Sequence, residues 1–505
     1  MTAPLVTYDS FSAGEFGKRG AWRAPSGSFT GLNVVAYDDG SIGPRAGLRA
    51  YTLTSMPAGD TLAMGFGKTT AGSLRMWFVK GTGVYAFNPF DFASQAVIAY
   101  AGALTTAPRA SASVSYVHRQ GKTYWLNHAD GKLWRFDHDA ATVTATPAAA
   151  IVPASSTNHA VIAQYGARTI AAENFSNRVF YSDADNPESW PAPNYFDVGE
   201  SHIGITGLHA QRNHLAIAKG LDGHLGEWWV LTGVPGVDSV LRRQVQGLSP
   251  IPAGAAAIDG EGVVWFGSNA EIAPAAFDGS TVSMDPEQVE ASARTYSAAL
   301  ATRRPGEVII AGAHSDNTPI RLTQRRGRAW FRHQLEAGPS GYSLAKANMS
   351  AYPLSDLYVF CVDDRSDFRA WSALATTPGG GPYGAVWTPA SPADCAFTLP
   401  EWWAPDGREV SVRAVQVDFR SYAVGSGNCT WTLTLTPQRI HEGGAGTPQT
   451  FAFSEAAPGA EVNRRRQALF AIDDANGFQL SFSNLRGVAI QKITVVGSAR
   501  PAQGL

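Results

Sequence analysis

The chain is written in short apolar and aromatic runs separated by glycine, asparagine and aspartate turns. Residues 74–87, LRMWFVKGTGVYAF, place Gly81-Thr82-Gly83 between two such runs. Residues 122–136, KTYWLNHADGKLWRF, do the same around Asp130-Gly131, a dipeptide suited to a tight hairpin. The pattern returns at 162–181 with a turn between Asn174 and Asn177, and at 257–277 with turns at Asp259-Gly260 and Ser268-Asn269. It continues at 308–335 and 357–374. Each unit is a short meander that cannot bury both of its faces alone. Recurrence at roughly 40–50 residues fits four-stranded sheets stacked radially, which leaves few open edges. The pattern predicts an all-β fold, a six- or seven-bladed β-propeller followed by a C-terminal β-sandwich. A pair of sandwiches is the alternative.

The boundaries follow from the same pattern. Residues 1–50 read as an N-terminal arm with a closing strand, 51–380 as the propeller and 381–505 as the sandwich. Residues 375–395, rich in Gly, Pro and Ser, read as a linker or long crossover. Beyond it, EVSVRAVQVDFRSY (409–422), CTWTLTLTPQ (429–438), FQLSFSN (478–484) and VAIQKITVVG (488–497) alternate with period two. Such strands have one wet and one buried face. A single helix is predicted at 285–304: Asp285 suits the N-cap, Pro286 the first helical position and Gln288 the capping box, with Val289, Tyr296 and Leu300 near one face.

Composition narrows this picture. Of 505 residues only 16% are charged, against roughly a quarter in an average globular protein, which disfavours solvated helical bundles and coiled coils. The 52 Gly have no period of three, which excludes collagen, and 14 Trp, 24 Phe and 16 Tyr supply too much burial for a disordered chain. A formal net charge of -2 gives no global pull toward nucleic acid or an anionic membrane. The widely spaced Cys361, Cys395 and Cys429 indicate neither a zinc ribbon nor a disulfide scaffold, and read as buried thiols in a chain made in a reducing cytoplasm. The N-terminal residues lack the basic and apolar regions of a signal peptide, and no apolar run reaches the ~20 residues of a membrane span, so no membrane insertion is expected.

Candidate chemistry is sparse. GFGKTT at 65–70 resembles the end of a phosphate-binding loop, but Leu62 stands where the first glycine belongs, so the string reads as a turn. Asp183, Asp185 and Asn186 hint at a calcium loop, yet Glu188 and Asn194 occupy the positions where Gly and Glu are required, and three prolines make the loop rigid instead. His209 and His214 flank a turn at Gln211-Arg212-Asn213 and read as solvated. The carboxylate pairs Asp363-Asp364 and Asp473-Asp474 sit in turn-like surroundings. No metal, cofactor or catalytic residue is therefore assigned. Arg242-Arg243, Arg303-Arg304, Arg325-Arg326-Gly327-Arg328 and Arg464-Arg465-Arg466 are basic clusters. Arg242, Arg243, Arg325, Arg326, Arg328, Arg464, Arg465 and Arg466 are the candidates for a subunit interface or a DNA-lined channel; the ordinary reading is ion-pairing faces. Trp402, Trp403 and Trp431 are candidates for a glycan platform, or else core residues.

Three stretches carry a family resemblance: FTGLNVVAYDDGSIGPRAGLRAY (29–51), ENFSNRVFYSDADNPESWPAPNYFDVG beginning at Glu173, and ITGLHAQRNHLAIAKGLDGHLGEWWVLTG (205–233), continued by AAIDGEGVVWFGSNAEIAPAAFDG (256–279). They resemble bacteriophage tail proteins, namely the podovirus tail-hub and packaged-DNA-stabilisation proteins and related β-propeller minor tail proteins. The loop Gly199-Glu200-Ser201-His202 departs from the acidic glycine loop of that group. The resemblance implies a virion component, not an enzyme, assembled in the host cytoplasm. Implied partners are copies of itself in a homohexameric ring, other tail or head–tail connector proteins and tail fibres, with viral DNA only passing through. A receptor- or glycan-binding tail-tip protein is the alternative, and a polysaccharide-degrading propeller enzyme a third. Trp190 between its prolines, Gly204, Gly207 and the apolar run Leu215 to Ala218 read as markers of fold.

Overall fold

Among the described residues, seven consecutive four-stranded sheets dominate the computed structural model. It describes residues 3–11, 14–15, 28–37, 39–45, 49–109, 115–148, 150–154, 160–173, 175–211, 213–221, 224–248, the strands between 256 and 372, 395–422, 427–439 and 444–500. By compactness the chain divides into one unit of residues 1–49, 323–336 and 371–505 and another of 50–322 and 337–370.

In the second unit the first sheet is built from Thr61–Lys68, Leu74–Lys80, Gly83–Phe87 and Ile98–Ala99. The second uses Val117–Arg119, Lys122–Asn127, Lys132–Asp137 and Thr142–Ala145. Ala160–Tyr165, Arg168–Glu173, Arg178–Tyr181 and Tyr195–Asp197 form the third. Ile205–Ala210, His214–Leu221, His224–Thr232 and Val240–Leu248 form the fourth. The fifth and seventh begin at Ala256–Ile258 and Asn348–Ala351, and the sixth begins in this unit at Thr295–Ala301, while its last strand, Ala329–Gln334, belongs to the other unit by compactness. The outer strand of the seventh is Arg49–Ala50, from the start of the chain, and Tyr51 N extends the pairing by donating to Phe368 O at 3.0 Å.

From the second sheet to the seventh the first strands of successive sheets are neighbours, Thr61–Lys68 of the first packs beside Lys122–Asn127 of the second, and Asn348–Ala351 of the seventh packs beside Thr61–Lys68. The sheets therefore close into a ring, the β-propeller arrangement, in which each sheet buries its faces against its neighbours. Trp77, Trp125, Trp134 and Phe136 fill the seam between the first and second sheets. Leu126, Leu133, Ile162 and Ala171 fill the next seam, and Ile170, Val179, Leu215 and Ile217 the one after.

In the first unit a six-stranded sheet has the order Val34–Ala36, Ile42–Pro44, Val488–Ala499, Val410–Ser421, Val462–Ala475, with Ala3–Tyr8 also paired to Val488–Ala499. An eight-stranded sheet contains Ser28–Leu32, Ala396–Thr398, Gly477–Arg486, Asn428–Arg439 and Gln449–Ala456. Their buried residues, among them Phe29, Val415, Val417, Trp431, Leu433, Phe482 and Val495, form one cluster. Of residues 1–50, expected as an arm and closing strand, Ala3–Tyr8, Ser28–Leu32, Val34–Ala36 and Ile42–Pro44 supply strands to these two sheets. Sequence pattern could not assign them there, because their partners lie more than 350 residues away.

Three local expectations are corrected. Thr295–Ala301, in the predicted helix, is a strand paired with Val308–Ala313. The spacing of four between Tyr296 and Leu300 satisfies a period of two as well as a helical turn, and strand pairing decided between them. Residues 285–294, with Val289, lie outside the described residues, as do Asp363-Asp364 and 375–394 of the expected linker. Gly65, Gly67 and Lys68 lie in a strand, so only Thr69 and Thr70 of the glycine string belong to a turn. Their glycines serve close packing: a Cβ on Gly65 would come within 2.5 Å of the Trp77 and Tyr116 rings. Asp473 and Asp474 lie in the strand Val462–Ala475, where extra residues bulge it against Val410–Ser421.

Candidate functional site

The proline-rich loop after Arg178–Tyr181 shows how this chain spends its polar groups. Asp183 holds the loop together, accepting from Ser189 Oγ at 2.6 Å and Asn194 Nδ2 at 3.4 Å. Its carboxylate, one of the suggested calcium ligands, is thereby engaged inside the loop. Asp185 receives Arg119 Nη2 at 2.8 Å, and Glu188 Oε1 receives Arg135 Nη1 at 3.0 Å and the Tyr124 hydroxyl at 3.2 Å. Both arginines and Tyr124 come from the second sheet, so the loop of the third is lashed to its neighbour. Trp190 donates from Nε1 to Pro187 O at 2.8 Å and packs on the core between those sheets.

The basic clusters separate by location. Arg242 and Arg243 stand on Val240–Leu248, the outermost strand of the fourth sheet. They belong to the rim of the ring and do not line its centre, where Ile205–Ala210 runs. Arg243 Nη1 lies 4.0 Å from Glu227, and its guanidinium 6.0 Å from the centre of the Trp229 ring. Arg325 and Arg326 lie on the strand Arg321–Arg326, and Arg328 falls outside the described residues, as do Arg303 and Arg304.

Arg464, Arg465 and Arg466 lie on Val462–Ala475, an edge strand, and carboxylates meet all of them. Arg464 Nη1 is 2.5 Å from Glu455, Arg466 bonds the other oxygen of Glu455, and Arg465 grips Asp418 through Nε and Nη2 at 2.5 and 2.9 Å. Glu455 belongs to Gln449–Ala456 of the eight-stranded sheet, so the Arg464 and Arg466 pairs tie the edges of two sheets, while Arg465 pairs with the neighbouring strand of its own sheet. Gln449 adds to this, its amide bonding Ala471 N and O at 3.1 and 3.0 Å as a neighbouring strand would. This is a guarded edge rather than a free cationic patch.

Among the tryptophans, Trp431 is fully buried among Phe419, Phe451, Phe453 and Phe482, which removes it as a glycan contact. Its strand alternates, and Trp431 falls on the inward face. Trp402 is half-buried and stacked on Phe478 at 4.9 Å. Trp403 is 41% exposed, its ring over Gly477, where a Cβ would come within 3.1 Å of the indole.

Two buried polar centres were not anticipated. In the fourth sheet Lys219 Nζ lies 3.3 Å from Glu227 Oε1 on the paired strand, and both side chains are buried. Lys219 also donates to Val198 O and to Glu200 O, pinning the loop that enters this sheet. Burial lowers the Lys219 pKa, while Glu227 pulls it back up. The sequence signal was a lone charge ending the apolar run Leu215 to Ala218.

At the seam of the first two sheets, Tyr100 OH meets His138 Nδ1 at 2.6 Å, His138 Nε2 meets Thr123 Oγ1 at 2.8 Å, and Thr123 Oγ1 meets His118 Nδ1 at 3.2 Å. Burial depresses the pKa of both histidines, His138 to about 3. His209, expected to be solvated, is a half-buried strand residue beside Trp228 with its pKa lowered to about 4 by burial, and His214 is buried. Both stand on strands of the fourth sheet and not in a solvated turn.

No protein-family model and no curated protein matches the chain. Its fold is similar to that of solved propeller proteins. One is apo AztD from Citrobacter koseri, at 11% identity and TM-score 0.39, covering 68% of this chain and 91% of that one. Another is the fucose-specific lectin from Aleuria aurantia, at 14% identity and TM-score 0.33, covering 57% and 99%. A chain of the mitotic checkpoint complex shares 11% identity at TM-score 0.43, covering 65% and 94%. These are likenesses of shape and say nothing about activity.

Proposed function

We propose that the chain is a structural component of a bacteriophage tail, a β-propeller joined to a β-sandwich, acting as hub, nozzle or minor tail protein. In this reading it self-associates into a homohexameric ring around the DNA exit channel and docks other tail or connector proteins. Its work is mechanical and needs no turnover. The observation that supports it most directly is the bracing of the segment from Glu173 that carries the tail-protein resemblance: Asp183, Asp185, Glu188 and Trp190 all tie it to itself or to the neighbouring sheet. A part that bears load needs its loops preorganised, and these polar groups are spent on stiffness.

Electron microscopy and native mass measurement of the purified full chain test this. A closed ring, formed alone or with neighbouring tail proteins, is the expected result. A protein that stays monomeric and binds no tail component overturns it.

The exposed ring of Trp403 favours a second reading, a glycan-binding part of the tail tip, because a flat indole in water is a stacking surface for a sugar. Glycan-array binding that disappears in Trp403→Ala supports it, and binding unchanged by that substitution removes it.

A further inference from the structure

We propose that the side-chain chain Tyr100–His138–Thr123–His118 is an acid-operated latch on the seam between the first and second sheets, closed when both rings are neutral and opened by an added proton. The inference stands apart from the tail reading.

The geometry sets the rule. Thr123 has a single hydroxyl proton yet touches both rings, at 2.8 and 3.2 Å. It can donate to only one of them, so the other ring must donate to it, and the chain has a direction. Four side chains with both rings neutral carry four exchangeable protons for three contacts, so the spare one sits at an end of the chain. A fifth proton puts a cation inside the seam.

On His138 that cation would be buried away from water, whereas His118 is half-buried. Gly67, in the innermost strand of the first sheet, lies directly under His138: a Cβ there would stand 2.1 Å from Nε2. The Trp77, Trp125, Trp134 and Phe136 core continues alongside. The charges facing the rings come from both sheets. Lys68 opposes charging of His118, while His118 itself and then Arg75 oppose charging of His138. Asp137 and Asp139 favour a charged His138, but burial outweighs them. Asp139 is also engaged by Thr70 N at 3.0 Å and Thr70 Oγ1 at 3.1 Å.

The folded rings thus take up protons at lower pH than unfolded histidine, near 6.5. Below that value the unfolded chain binds more protons than the folded one, so the latch's contribution is complete above about 6.5 and is lost as pH falls toward about 3.

Trp77, Trp125 and Trp134 report on this seam. Tryptophan fluorescence of the full chain, titrated from pH 8 to pH 3, should show a reversible transition, with its midpoint lowered in His138→Gln, where one titrating ring is gone. An unchanged midpoint in that variant, or no transition in the native protein, overturns the latch. Should the variant fail to fold, imidazole nitrogen-15 spectra of the native protein decide. Protonation of His118 and His138 coinciding with the fluorescence change supports the latch, and protonation without that change refutes it.

Discussion

Lys219 and Glu227 face each other across paired strands of the fourth sheet, Nζ to Oε1 at 3.3 Å, with both side chains buried. The ammonium also receives two loop carbonyls, of Val198 and Glu200, so a cation inside the sheet organises the loop that enters it.

Removing one member of such a pair leaves an uncompensated buried charge. Glu227→Gln should cost about 3–5 kcal/mol, and Lys219→Met/Glu227→Leu should cost less than the sum of its single changes. Denaturant unfolding of the single and double variants measures this. Strict additivity would contradict the pairing.

Gly67→Ala should destabilise by about 1–3 kcal/mol, because the new methyl meets the His138 ring and must displace it from Tyr100 and Thr123. Gly459→Ala is the control: a Cβ there meets nothing within 4 Å, and the melting temperature should stay the same. Equal effects at both positions would mean that His138 yields freely.

Trp431 and Trp403 should behave oppositely. Trp431→Ala empties a core position and should cost about 3–5 kcal/mol, whereas Trp403→Ala, at a half-wet site, should cost less than about 1.5 kcal/mol. Thermal melts of the two variants compare them directly.

The arginine edge predicts an absence of DNA contact. Glu455 and Asp418 already hold Arg464, Arg465 and Arg466. Changing all three to Ala should leave the salt dependence of any DNA binding unaltered. A slope reduced by about 0.9 per arginine would show that they touch phosphate.

Strand character was legible from local pattern. Turns at Gly81 and Asp130-Gly131 and the alternation of 429–438 can be read directly, because hairpins and period two are neighbour effects. Tyr296 and Leu300 were not decidable alone, since a spacing of four suits both periods. The arginine and tryptophan candidates were visible as residue types, but the sequence carried no sign of which carboxylate or aromatic ring would meet each one.

By itself the sequence determined an all-β chain of short meanders, low in charge and punctuated by turns, because those features follow from residue type and near-neighbour spacing. The tertiary structure alone decided that Arg49–Ala50 completes the seventh sheet, that the strands from Ala3–Tyr8 to Ile42–Pro44 join those of the C-terminal region, and that Arg464 to Arg466 guard an edge. It also brought Lys219 to Glu227, and His118 and His138 to one threonine. The physical reason is that pairing between distant strands, and the ordering of charges that burial demands, depend on which surfaces meet.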